Sequence, residues 1–292
     1  MKHAALLLIF LLLVGCLSGC ADPPAADIAA TTLPVYTFAA RLCQGTPLTV
    51  TQLVTESVSC LHDYTLQVGQ MRAIQGAKAV IINGAGLEEF MEDALHDAAN
   101  VIDASQSLSL LEGDHDHDHE HDHGHTHAED PHIWLSPMNA KVMAHNICHG
   151  LKEIFPQYED IFEGNLEALE AELDALQTYG EQTLSSLSCR ELITFHDGFS
   201  YFAESFDLTI LMAVEEESGS EASAAQLAEL CRLVEDHHLT AIFTETNGSD
   251  SAAGIISRET GAKLYSLDMI MSGEDYFTLM YRNIDTIKEA LQ

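Results

Sequence analysis

Basic side chains are scarce in this chain: Lys and Arg number 12 in 292 residues against 46 Asp and Glu, for a formal net charge of -34 at pH 7. Such a surface repels phosphate backbones and anionic lipid headgroups, which excludes nucleic acid as a partner. Closely spaced cysteine pairs are missing too. There is no CxxC, and the cysteines beyond Cys20 are Cys43, Cys60, Cys148, Cys189 and Cys231. Their number is odd, so neither a thiolate zinc site nor a complete disulfide framework can be read from them. Outside the low-complexity run at 113–127, where His119-Glu120-His121-Asp122-His123 has no helical pattern, no HExxH occurs, and there is no nucleophile elbow; this removes the commonest marks of a zinc or serine hydrolase and argues against an enzyme. The longest apolar run, Ala4 to Val14, falls short of the roughly 20 residues of a spanning helix.

That run follows Lys2 and His3 and precedes small residues and cysteines, the layout of a secretory signal. Leu13-Val14-Gly15-Cys16 and Leu17-Ser18-Gly19-Cys20 both resemble the bacterial lipoprotein processing box. Cys16 sits almost inside the apolar run, whereas Cys20 is followed by a short tether, Ala21 to Ala26. Residues 1–19 are therefore read as a lipoprotein signal peptide, Cys20 as the lipidated residue and 20–27 as a tether. This reading places the chain outside the cytoplasm, lipid-anchored to the bacterial cell membrane.

The remainder, about 270 residues, can bury one large core or two smaller ones. Strand-like runs at Ile28 to Val35, Leu48 to Val54, Ala79 to Ile82 and Asn100 to Asp103 alternate with helical or turn segments. A second set follows at Glu191 to Phe195, Leu208 to Val214, Thr240 to Thr244 and Lys263 to Leu267. This rhythm predicts α/β lobes of βα units around mostly parallel sheets. Between the sets, Tyr158 to Leu187 lacks proline and carries Leu166, Leu169, Leu173 and Leu176 at three- and four-residue steps, the pattern of one amphipathic helix. At about 1.5 Å per residue it would reach roughly 45 Å, longer than one lobe needs. The expected organisation is a first lobe over 28–157, a connecting helix over 158–188 and a second lobe over 189–292.

Residues 113–127 read GDHDHDHEHDHGHTH, with His115, His117, His119, His121, His123, His125 and His127. Nothing there can build a packed core, and alternating imidazoles and carboxylates bind several divalent ions weakly. Three further histidines stand beside acidic or aromatic residues near strand ends: His62 before Asp63 and Tyr64, His132 after Asp130 and Pro131, and His196 before Asp197 and Gly198. Ligands of open α/β sheets collect beyond the carboxyl ends of the strands, and Asp268 occupies such a position after Lys263 to Leu267. The three histidines lie far apart in sequence, and no short motif joins them. The residues by themselves allow a divalent-metal site or a hydrolytic one between the lobes.

Several ordered segments carry the reading further. They are His62-Asp63-Tyr64; Ile82-Asn83-Gly84-Ala85-Gly86-Leu87-Glu88 with Phe90; Asp130-Pro131-His132-Ile133-Trp134-Leu135-Ser136-Pro137; Phe195-His196-Asp197-Gly198-Phe199-Ser200-Tyr201-Phe202; and Gly261-Ala262-Lys263-Leu264 to Leu267-Asp268. Together they resemble the zinc and manganese solute-binding lipoproteins that serve ABC importers. Glu89 stands where that family usually has proline, Cys60 and Leu61 precede the first histidine's neighbourhood, and Met269 replaces a proline.

The resemblance implies two lobes joined by a rigid helix with the metal in the cleft between them. It assigns His62, His132, His196 and Asp268 as ligands, with Glu245 or water as alternatives for the fourth. It also implies an extracytoplasmic protein that captures zinc and delivers it to the permease of an ABC transporter. Manganese or another divalent ion, and a metal-buffering adhesin, are the alternatives. Three imidazoles and one carboxylate suit tetrahedral zinc, whereas manganese prefers more oxygen, and manganese-type members tend to carry glutamate at the position of His196. Ligands drawn from two lobes would release the ion if the second lobe shifted slightly. Deleting residues 114–127 is expected to abolish only the weak metal sites and leave one tight site, as counted by zinc titration against a competing chelator.

Overall fold

The computed structural model describes residues 26–56, 61, 64–112, 129–215, 223–246 and 251–292. The proposed signal peptide, Cys20, His62 and the histidine-rich stretch lie outside the described residues.

The first sheet is built from β1 (Ile28–Ala30), β2 (Val50–Gln52), β3 (Ala79–Ile82) and β4 (Val101–Asp103), all parallel in the order β2-β1-β3-β4. Helices α1 (Leu33–Leu42), α2 (Val68–Gly76) and α3 (Glu92–His96) connect the strands, and α4 (Pro137–Ile154) follows the segment bearing His132. The run from Ile28 to Val35, expected to be one strand, turns into helix at Leu33. Pro34 sits in the first turn of α1, where its fixed φ favours a helix and its missing N–H costs nothing.

Beyond α5 (Glu159–Leu184) the second sheet repeats the pattern. Its strands β5 (Glu191–His196), β6 (Thr209–Glu215), β7 (Ala241–Glu245) and β8 (Lys263–Leu267) are parallel in the order β6-β5-β7-β8. The helices are α6 (Ser200–Ser205), α7 (Ala224–Asp236), α8 (Ser251–Thr260) and the terminal α9 (Tyr276–Leu291). Ser223 caps α7 in a reciprocal box with Gln226 and Asp275 caps α9, which explains where those helices begin. In both sheets the strand order reverses beside the first strand, and ligands of such sheets gather in the crevice there.

Helix α5 is 26 residues long, about 39 Å at the usual rise. It packs on α1 and α4 of the first lobe and α9 of the second, burying Phe162, Leu169, Leu173, Leu176 and Leu184. Its acidic outer face is matched by Arg41 to Glu172, at 2.6 Å, Lys141 to Asp174, at 2.7 Å, and Lys152 to Glu159, at 2.9 Å. Three of the 12 basic residues of the chain are thus paired against this helix.

The lobes do not meet through a bare hinge. One hydrophobic cluster runs from Ile28 and Trp134 of the first lobe through α5 to Phe202, Phe243 and the Met269 to Leu291 segment. Hydrogen bonds cross the same joint. Trp134 Nε1 donates to Met269 O at 2.8 Å, Tyr276 Oη to Trp134 O at 2.8 Å, Leu33 N to Met271 O at 3.0 Å and Tyr201 Oη to Asp130 O at 3.0 Å. Parting the lobes as rigid bodies would expose this core and break bonds worth about 1 kcal/mol each, so the joint resists opening.

Gly180 of α5 allows the closest of these approaches, because a Cβ there would stand 2.2 Å from the Phe206 ring. Gly180→Ala is expected to destabilise the protein by about 1–3 kcal/mol despite alanine's better helix propensity. Chemical denaturation of the purified variant checks this.

Candidate metal centre

His196 is the last residue of β5 and Glu245 the last of β7, so both stand at the switch point of the second sheet. His132 comes from the first lobe, just ahead of the short 3-10 turn Ile133–Leu135. The two imidazoles, 64 residues apart in sequence, bring their Nε2 atoms to 3.3 Å with rings at 87°. Both residues are buried, with relative exposures of 6% and 4%.

The opposite edges of the rings face carboxylates. Asp130 Oδ1 lies 2.8 Å from His132 Nδ1 and also accepts the backbone N–H of His132 at 2.9 Å. Glu245 Oε1 lies 2.9 Å from His196 Nδ1, an ion-pair distance without hydrogen-bond alignment. At His132 the carboxylate only accepts, which selects the tautomer with the proton on Nδ1 and leaves the Nε2 lone pair bare. That lone pair can accept a proton from His196 Nε2 or bind a cation placed between the rings. For zinc bonded at about 2.0–2.1 Å with tetrahedral angles, the two nitrogens would be about 3.3–3.4 Å apart. The observed spacing of 3.3 Å matches that value.

Glu245 therefore lies behind His196, and its Oε1 faces the ring edge away from His132; this favours orientation over direct ligation. Asp268 is half buried, and burial raises its carboxyl above the usual range. Its Oδ1 accepts Ile270 N at 2.7 Å, and Asn283 brackets its peptide through Asp268 N and O at 2.9 and 2.8 Å. Among the described residues no group of three or more His, Cys, Asp or Glu is assembled for metal; His132 and His196 are brought together, and His62 lies outside them. Buried Cys43 has its thiol pushed up to about 12 by desolvation, which keeps it protonated and unfit as a ligand.

Gly198 is a part of the site that sequence reasoning quoted but gave no role. A Cβ on it would stand 2.6 Å from Met269 Cε, 2.7 Å from His196 Cδ2 and 3.0 Å from His132 Cε1. Its bare backbone is what lets both rings close on one point. The Met269 methyl borders the same point, and Trp134 holds Met269 through the indole N–H. The sequence signal was the glycine directly after His196-Asp197 at a strand end.

Two similar parallel sheets bridged by one long helix, with one imidazole from each lobe converging between them, are the architecture of a solute-binding protein. Residues 28–290 match the family described as zinc-uptake complex component A, periplasmic, and the chain belongs to that family. The high-affinity zinc uptake system protein ZnuA of Bacillus subtilis (strain 168) is 30% identical over 279 residues, covering 90% of this chain and 87% of the relative. A crystal structure of ZnuA superposes with a TM-score of 0.79 at 29% identity, over 91% of this chain and all of that one. The Zn(II)-bound AdcA of Streptococcus pneumoniae gives a TM-score of 0.76 at 27% identity; 91% of this chain matches 57% of that longer protein.

The carboxylates behind the rings are open to test. Asp130→Asn and Glu245→Gln should each weaken zinc binding by about 10- to 100-fold while leaving a folded protein, as read by chelator competition alongside circular dichroism.

Proposed function

We propose that this chain captures zinc outside the cytoplasm through His132 and His196, together with His62 and Asp268, and delivers it to the permease of an ABC importer. The observation that carries the reading is the pair of Nε2 atoms at 3.3 Å, each backed by a buried carboxylate. Membership of a zinc-uptake family supports the transport role. Lipidation at Cys20 would keep the loaded protein at the membrane beside its permease, and the processing box Leu17-Ser18-Gly19-Cys20 supports that anchor. The histidine-rich stretch would raise the local concentration of zinc without forming the tight site.

Imidazole nitrogen at position 196 favours zinc over manganese, which prefers oxygen donors. In competitive titration the purified chain should prefer zinc over manganese, and His196→Glu should shift the balance toward manganese. Preference for manganese in the unaltered chain would overturn the assignment.

A further inference from the structure

The second sheet uses its switch-point crevice for His196 and Glu245, whereas the corresponding crevice of the first sheet, between β1 and β3, is filled by a side chain of the chain itself. Glu88 turns back into it and is 4% exposed. Its Oε1 accepts Thr31 Oγ1 at 2.6 Å and Asn83 N at 2.8 Å, and its Oε2 accepts Gly84 N at 3.0 Å. Thr31 follows β1 directly and Asn83 follows β3. The carboxylate thus takes the place an anionic ligand would occupy in such a crevice.

The turn it holds is strained. Gly84, Ala85 and Gly86 have φ of +82°, +54° and +82° in succession, and the left-handed region is unfavourable for the alanine. Ser105 Oγ accepts Ala85 N at 3.0 Å, and a Cβ on Gly84 would stand 1.9 Å from Asp103 Oδ1. The loop is therefore gripped from both sides. Among the described residues, its hydrogen bond toward the metal centre comes from Asn83, which is fully buried, through Nδ2 to Pro131 O at 3.0 Å. Pro131 lies between Asp130 and His132 and has no N–H to donate; Asn83 holds it through its carbonyl.

Building on the zinc-capture reading, we propose that Glu88 and Asn83 are positioning residues for the metal centre: Glu88 fixes the turn, and Asn83 holds Pro131 so that His132 and its partner Asp130 face His196. Neither touches the ion. Glu88 also has a cost that a purely structural residue could avoid, since desolvation pushes its carboxyl up to about 7 despite three donors. An apolar side chain would fill the space without that penalty but could not hold the turn.

The test is zinc affinity by chelator competition, with the visible absorption of the cobalt(II)-loaded protein as a readout of ligand geometry, for Glu88→Gln, Asn83→Asp and Gly150→Ala. Glu88→Gln and Asn83→Asp should each weaken zinc by about tenfold, the lower end of the effect of removing a ligand's supporting partner, and should alter the cobalt spectrum. Gly150→Ala, which crowds Ile102 within the first lobe at a Cβ distance of 2.7 Å, should change neither. Wild-type affinity and spectrum in both network variants, or losses no different from those of Gly150→Ala, would overturn the proposal. If Glu88→Gln fails to fold, Asn83→Asp alone decides, because it removes the amide donor to Pro131 and keeps its size. If the unaltered chain binds no zinc tightly, the capture reading fails and this one with it, before the variants are compared.

Discussion

Everything about the site depends on holding two imidazole nitrogens against each other across the boundary between two lobes. Left alone, such a pair would turn apart or be hydrated. Here a carboxylate stands behind each ring, Asp130 on one side and Glu245 on the other, and Gly198 removes the side chain that would keep them separated. The close approach of the two nitrogens is built into the fold, at the separation a tetrahedral zinc ion would need.

That constraint accounts for the rest of the architecture. Rings from different lobes can be kept at 3.3 Å only if the lobes themselves are fixed. The continuous apolar cluster, the 26-residue helix and the Trp134, Met269 and Tyr276 hydrogen bonds all serve to fix them. Met269 links the two scales, since its carbonyl ties the lobes and its methyl borders the space over Gly198. Asp268, one residue earlier, is carried on the same tied segment. Release of the ion is therefore more easily reached by local movement of a ligand-bearing segment than by a swing of the whole second lobe.

Much of the fold was legible because βα units write themselves in the chain: short apolar runs, helical spacing between them, and a long proline-free stretch with leucines on one face. The beginning of α1 was misread, because Pro34 in an apolar run looks like a strand edge locally yet serves as a helix start. His132 and His196 were legible as candidates because each stands at an element boundary beside an acid. The function of Glu245 was not, since its place behind His196 follows from the pairing of β5 with β7, where Thr194 opposes Phe243, and no local pattern specifies that register. Glu88 was hidden for the same reason: its partner Thr31 is 57 residues away, and a glutamate after a glycine-rich turn normally reads as surface.

The most direct measurement of the central claim is zinc X-ray absorption on the chain lacking residues 114–127 and loaded with one equivalent of the metal, compared with the same protein carrying His132→Ala. The account predicts a first shell of nitrogen and oxygen at about 2.0–2.1 Å with multiple scattering from imidazole rings, reduced when His132 is removed. A spectrum without imidazole scattering, or one indifferent to the loss of His132, would contradict it.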